Sequence, residues 1–178
     1  MSKLKVHMRM SKIIRNLLIL ILLVTNVGCD QISKCIVRQT IEYNHRTSVI
    51  GNFVTITKVE NTGAFLGLGD QLPRIIYKIL MIILPLIVLG YALHYLLTSN
   101  NLSKLLIFGI CLVIGGGLGN VYDRIIYGSV TDFLHFDFVL FHTGIVNMAD
   151  ISLTMGFFIL MYEFFINRGT LNLKSSEK

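Results

Sequence analysis

ILMIILPLIVLGYALHYLL at residues 79–97 and LLIFGICLVIGGGLGNVY at residues 105–122 carry no charged side chain, and only the polar link Thr98 to Lys104 separates them. A helix needs about 17–25 mostly apolar residues to cross a bilayer, so each stretch is long enough. The short link makes them an antiparallel pair. Working outward, two further apolar stretches run from Asn16 to Cys29 and from Ile151 to Tyr162, the latter extending through Phe165 past Glu163. The first reaches spanning length if it begins near Ser11 with Arg15 snorkelling to the interface. The last does so if it begins near Ile145 and includes Asp150. The fold expected is a mainly α membrane protein with four transmembrane helices, approximately 11–29, 75–97, 105–122 and 145–166, in one integral membrane domain of residues 1–178.

Composition agrees. The 178 residues are 53% hydrophobic and 15% charged, with a mean hydropathy of +0.68, which excludes a disordered chain and argues against a soluble domain. The net charge of +6 does not read as a nucleic-acid footprint, because the basic residues flank apolar spans: Lys3, Lys5, Arg9, Lys12 and Arg15 at one end, Arg168, Lys174 and Lys178 at the other. Four helices return both termini to one side, and the basic N-terminal segment makes that side cytoplasmic. Cys29, Cys35 and Cys111 support neither a disulfide framework nor a zinc site, and His135 and His142 have no spacing that favours a metal.

The long polar region 30–74 lies outside the membrane between the first and second helices. Phe53 to Val59 (FVTITKV) is β-branched and alternating, bounded by Gly51-Asn52 and by Glu60-Asn61-Thr62-Gly63, so a small extracytoplasmic β platform is expected there. Residues 124–143 form a second external segment. Asn26-Val27-Gly28-Cys29 also resembles the end of a signal peptide with a lipidated cysteine. Three further apolar spans favour a retained first helix instead.

A carboxylate in or against a bilayer costs about 2.5–3.5 kcal/mol on the insertion scale, so one is kept where it finds partners or does work. Asp30, Asp123, Asp132, Asp137, Asp150 and, more loosely, Glu60 are expected at one level near the outer surface. Asp132 precedes Asp150 across a turn-back, and two facing carboxyls share a proton. One can then activate a water while the other, protonated, polarises a carbonyl, which is aspartic-peptidase chemistry. Taken singly, Asp123 reads as an ion pair or cap beside Arg124, and Asp137 as interfacial. Lys34 reads as the ion-pair partner of Asp30, and Asn61 as a turn residue. Gly115-Gly116-Gly117-Leu118-Gly119 contains a GxxxG spacing whose ordinary meaning is close helix packing, with Asn120 and Arg124 one turn apart on that face.

Asp30-Gln31-Ile32-Ser33-Lys34, Asn61-Thr62-Gly63-Ala64-Phe65, Gly115-Gly116 to Gly119-Asn120 with Asp123-Arg124, Val130-Thr131-Asp132-Phe133 and Asn147-Met148-Ala149-Asp150 occur in order. Their order and spacing resemble the lipoprotein signal peptidase (signal peptidase II) family over nearly the whole chain. The resemblance implies a bacterial inner-membrane aspartic endopeptidase that removes the signal peptide from diacylglyceryl-modified prolipoproteins by cleaving before the lipidated cysteine. It implies Asp132 and Asp150 as the catalytic pair, and Asn61, Gly116, Asn120, Arg124 and Asn147 as residues that shape and polarise the site. Asp30 and Lys34 become a structural or substrate-side pair. The expected partners are the prolipoprotein and membrane lipid, with no nucleic acid, obligate protein partner, metal or cofactor, and the site faces the periplasm.

Two departures stand out. Gly117 replaces the family's usual Ala, which should loosen the third helix slightly. Thr143-Gly144-Ile145-Val146 replaces an aromatic-proline approach to Asn147, leaving the backbone path there open. The N-terminal residues through about His7 have no assigned role. A proton-coupled carrier using Asp150, or a scaffold whose acids only cap helices, would be the alternatives. A carrier needs polar positions near the bilayer midplane, whereas the span middles here are apolar apart from the breaker Pro85.

Overall fold

The computed structural model describes residues 11–43, 45–51, 53–64, 69–138 and 141–176. Lys3, Lys5, Arg9, Lys178, Asn52 and Phe65, each used in reading the sequence, lie outside the described residues. Among the described residues four helices are long and apolar enough to cross a membrane: α1 (Lys12–Thr40), the composite helix Arg74–Thr98, α4 (Lys104–Ile126) and the apolar part of α5 (Met148–Ser176), which reaches Ile166. Ser11 and Ser103 begin α1 and α4 as N-caps, their hydroxyls accepting the backbone N–H of Ile14 and Leu106.

The first helix does not stop at Cys29. It runs to Thr40, because Asp30, Lys34 and Val37 continue the buried face begun by Arg15 and Ile19 while Ile32 and Ile36 point outward. The helix is continuous through Cys29, and Asp30 just beyond it is fully buried. The non-helical stretch after the first helix accordingly begins at Ile41. The last helix starts at Met148, with the residues from 145 to 146 in a strand.

The composite second helix consists of α2 (Arg74–Lys78), a π-helical turn Ile79–Ile83 and α3 (Leu84–Thr98). Pro85 is the cause: it has no N–H to give and its ring crowds the preceding turn, and the wider turn, with Leu84 N–H bonded to the Ile79 carbonyl, takes up the misfit.

Helix α4 is the centre of the bundle, with 56% of its span buried against 17%, 6% and 11% for the others. Its small residues allow this. A Cβ on Gly115 would meet Asn26 of α1 at 2.8 Å, and one on Gly116 would meet the Ala149 carbonyl of α5 at 2.5 Å. Close packing is thus the role of the glycine run. At Gly117 the space is filled by Leu89 of α3, whose side chain lies 2.7 Å from where a Cβ would stand. Arg15 ties the bundle at the end away from the sheet, donating to the carbonyls of Ser99 (2.7 Å) and Leu97 (3.0 Å) that close α3.

The β platform is larger than expected. Strands β1 (Thr47–Ile50), β2 (Val54–Asn61), β3 (Val130–Phe138) and β4 (Phe141–Val146) form one antiparallel sheet in the order β1-β2-β3-β4. Half of it therefore comes from the link between the third and fourth membrane helices, not from the first link alone. A bulge in β2 sets which residues share a face. Ile56 pairs with Leu134 and Val59 with Asp132, so Thr57 and Lys58 oppose Phe133 alone. The extra residue places Asn61, rather than Glu60, on the same face as Asp132.

Candidate active site

The two acids that the sequence singles out come together from different elements. Asp132 projects from β3, and Asp150 lies one turn into α5. Asn61 pairs in register with Val130, so Asp132 is its diagonal neighbour, and the Asn61 amide donates to Asp132 Oδ2 at 3.0 Å.

Asn147 joins the two carboxylates. Its carbonyl accepts the Ile151 N–H, making it the N-cap of α5 and Asp150 the third helical residue. Its side-chain oxygen accepts the Asp150 backbone N–H (2.9 Å), while Asp150 Oδ2 accepts the Asn147 backbone N–H (3.1 Å). This is a reciprocal capping box in which Asn-Met-Ala-Asp plays the part of Ser-x-x-Glu. With the amide oxygen committed to the helix, Nδ2 faces the other way and donates to Asp132 Oδ1 at 2.6 Å. Asp150 Oδ1 is held in turn by Asn120 Nδ2 of α4 at 2.8 Å. Each of the four carboxylate oxygens thus receives one N–H donor.

The pair stands at the polar end of a cavity of about 630 Å³. Leu84, Pro85 and Val88 on the second membrane helix, Val113, Gly117 and Val121 on α4, and Leu153 on α5 make its apolar wall. Arg124 closes the rim, donating to the Gly63 carbonyl at 2.8 Å and to the Asn120 carbonyl at 3.3 Å. The segment left open by the departure before Asn147 is β4, and its Ile145 lines the same cavity. Burial, and after it the charge of Asp150, pushes the Asp132 carboxyl up to about 6; the Asn61 and Asn147 amides and the Lys34 charge oppose that rise. Among the described residues no group of three or more His, Cys, Asp or Glu could hold a metal ion.

The family model for Signal peptidase (SPase) II matches residues 19–166. The chain belongs to the signal peptidase II family. Among its curated relatives, the lipoprotein signal peptidase of Streptococcus pneumoniae is 38% identical over 136 residues, covering 76% of this chain and 84% of the relative. That of Maridesulfovibrio salexigens is 31% identical over 148 residues, covering 83% and 95%. A bacterial membrane enzyme solved by the in meso method superposes with a TM-score of 0.78 at 25% identity, covering 86% of this chain and 90% of that one. The protein is therefore a multi-pass membrane peptidase of the signal peptidase II family.

Within this signal peptidase II fold the acids expected at one level resolve into separate groups. Asp132 and Asp150 line the cavity, with Asn61, Asn120 and Arg124. Gly116 acts from behind, through its contact with Ala149. Asp30 and Lys34 do not reach the cavity. They form a fully buried cluster with Asp123, in which Lys34 Nζ lies 2.8 Å from Asp30 and 3.0 Å from Asp123. Asp123 takes its ion pairs from Lys34 and Arg38, not from the adjacent Arg124. Glu60 sits on the opposite face of the sheet, accepting from Ser129 and Thr131.

The sequence reading missed three members of the buried cluster. Gln31 bridges Asp30 and Asp123, each at 3.0 Å. Arg38 pairs with Asp123 at 3.0 Å and stacks on the Tyr127 ring at 3.9 Å. Thr131 accepts from Arg38 Nε at 2.8 Å. The signal for Arg38 was available, since Asp30, Lys34 and Arg38 recur at intervals of four along one helix face.

Proposed function

We propose that this peptidase is an aspartic endopeptidase that removes the signal peptide from diacylglyceryl-modified prolipoproteins, cleaving before the lipidated cysteine, with Asp132 and Asp150 as its catalytic pair. The observation that carries the reading is the single residue Asn147 bonded to both carboxylates at the polar end of an otherwise apolar cavity.

The two acids work with one shared proton. Asp132, pushed up to about 6, holds that proton and hydrogen-bonds the scissile carbonyl. Asp150 removes a proton from a water held between the two, and the hydroxide attacks the carbonyl carbon. The negative charge that develops on the carbonyl oxygen is met by the Asp132 proton. Collapse of the tetrahedral intermediate breaks the C–N bond, the leaving amine takes the proton that Asp150 removed from the water, and the Asp132 carboxyl keeps its own proton for the next turnover.

The apolar wall suits a signal segment arriving laterally from the bilayer, and the acyl chains of the substrate would remain in lipid. The basic N-terminal segment supports an inner-membrane arrangement with both termini cytoplasmic and the pair on the periplasmic side. The residues 1–178 are read as one domain, since the sheet and the helices contribute to the same site.

The test is cleavage of a diacylglyceryl-modified prolipoprotein by purified protein in detergent, with Asp132→Asn, Asp150→Asn and an unlipidated substrate in parallel. Folded variants that do not cut, beside a wild type that cuts only the lipidated substrate, are expected. Normal cleavage by either variant would remove the aspartic assignment.

A further inference from the structure

We propose that Lys34, which never touches the cavity, is a positioning residue that orients the catalytic pair by locking the side-chain amide of Asn120. The proposal rests on the aspartic-peptidase reading above.

Asn120 carries one acceptor and one donor end, and the site works only if the donor end faces Asp150. Nothing within Asn120 itself decides this, because the two ends have nearly the same shape. Lys34 decides it. Its ammonium has three N–H donors and no acceptor, and lies 3.0 Å from Asn120 Oδ1. The flipped amide would set an NH2 group against the ammonium, donor against donor, in a fully buried place. Oδ1 is therefore held toward Lys34, and Nδ2 is left to meet Asp150 Oδ1 at 2.8 Å. The same Oδ1 accepts from Asn147 Nδ2 at 3.2 Å, the group that also donates to Asp132. One ammonium thus orients an amide on which both acids depend.

Lys34 has no freedom to do otherwise. Its remaining donors go to Asp30 Oδ2 at 2.8 Å and Asp123 Oδ2 at 3.0 Å. Both acids are held from further sides. Asp30 Oδ1 accepts the Ala149 N–H at 2.9 Å, Gln31 donates to each, and Arg38 pairs with Asp123. Two positive and two negative charges make the cluster neutral. The tie from Asp30 to Ala149 lands one residue before Asp150, so the cluster braces the start of α5 as well as the amide.

Removing Lys34 alone would strand two buried acids, so the test keeps the charge balanced. Lys34→Met/Asp30→Asn and Lys34→Met/Asp123→Asn each delete one cation and one anion. Asn26→Ala, which removes a midspan contact to Ser152 and the Leu112 carbonyl, serves as a control for lost stability away from the site. Steady-state cleavage of the lipidated prolipoprotein is measured against pH, with folding followed by thermal melting in detergent.

In the balanced variants kcat falls by about 10- to 100-fold with KM within about threefold, the pattern of lost transition-state positioning. The pH profile of kcat moves toward higher pH by about one unit, because the carboxylate pair loses a hydrogen bond to its charged form. Asn26→Ala lowers the melting point and leaves the pH profile in place. A folded balanced variant with the wild-type kcat and profile would overturn the proposal. So would failure of both variants to fold, since Lys34 would then serve the fold itself. Asp150→Asn run alongside separates the two readings: activity in that variant refutes the aspartic pair, whereas an inactive Asp150→Asn beside fully active balanced variants refutes only the role of Lys34.

Discussion

Replacing Gly116 by alanine adds one methyl group at the place where α4 and α5 are closest, and its consequence for catalysis can be worked from distances. The new Cβ would stand 2.5 Å from the Ala149 carbonyl oxygen and 3.2 Å from the Leu153 backbone nitrogen, both parts of a helix backbone that cannot rotate away. Ordinary contact begins at 3.4 Å, so the start of α5 must withdraw by about 0.9 Å. Asp150 follows Ala149 directly, and its bond from Asn120 on α4, now 2.8 Å, would open to roughly 3.7 Å, too long for a hydrogen bond. A displacement of about 1 Å at reacting groups is worth about 100-fold in rate. Overpacking of this kind lowers stability by about 1–3 kcal/mol, which leaves a folded protein to assay. The measurement is the cleavage rate of a lipidated prolipoprotein alongside the melting temperature in detergent. Gly90→Ala is the comparison, because nothing lies within 4 Å of its Cβ position, and there alanine should stabilise the helix by about 0.5–1 kcal/mol without changing the rate. A folded Gly116→Ala enzyme cutting within about threefold of wild type would show that the packing distance does not govern the pair.

Asn147 separates capping from catalysis: Asn147→Ser keeps an N-cap oxygen and should hold stability within about 1 kcal/mol, yet lose about 10- to 100-fold in kcat because no amide reaches Asp132. Asn147→Ala should lose the same activity and about 1–2 kcal/mol of stability besides, and equal melting points for the two variants would count against the capping box. Asp132 makes the fold pH-dependent. Its carboxyl is raised from 3.8 to about 6, so the native state keeps a proton that the unfolded chain has already released. That contribution, about 3 kcal/mol, is full below about pH 4 and is lost as pH rises through about 6, so the melting temperature should fall across this window. A melting temperature that is flat from pH 4 to pH 7 would contradict it. Arg15→Met removes two charge-assisted bonds to the end of α3 and should cost about 1–3 kcal/mol while kcat stays unchanged; a drop in kcat would show that the far end of the bundle reaches the site.

The four spans were legible because lipid selects for uninterrupted apolar runs, and Ile79 to Leu97 has no competing reading. The true end of α1 was not, because Asp30, Lys34 and Arg38 break the run while all turning inward, and hydropathy does not ask which way a charge faces. Strands β3 and β4 were missed although Leu134-His135-Phe136-Asp137-Phe138 alternates as a strand should. Aromatic residues beside a membrane span obscured the period. The neighbourhood of Asp132 and Asp150 followed from the cost of a carboxylate at a bilayer, but the partners of Asp123 did not. Adjacency to Arg124 suggested a local pair, whereas the helix turns that side chain toward Gly63 and leaves Asp123 to Lys34 and Arg38. The β2 bulge has no sequence mark at all, although it decides that Asn61 and not Glu60 stands beside Asp132.

The sheet is stitched from two links that lie far apart along the chain, and this bears on biosynthesis. Strand β2 leaves the ribosome before the second membrane helix, whereas β3 and β4 follow the third, and Asp150 belongs to the last helix of all. No portion of the nascent chain short of the fourth helix contains both acids, although the amides that hold them are already in place. On the catalytic pair proposed above, a partly inserted copy is inert, and proteolytic competence arrives when the final helix seats against α4. An enzyme that works on other chains emerging into the same membrane is in this way kept from acting before its own insertion is complete.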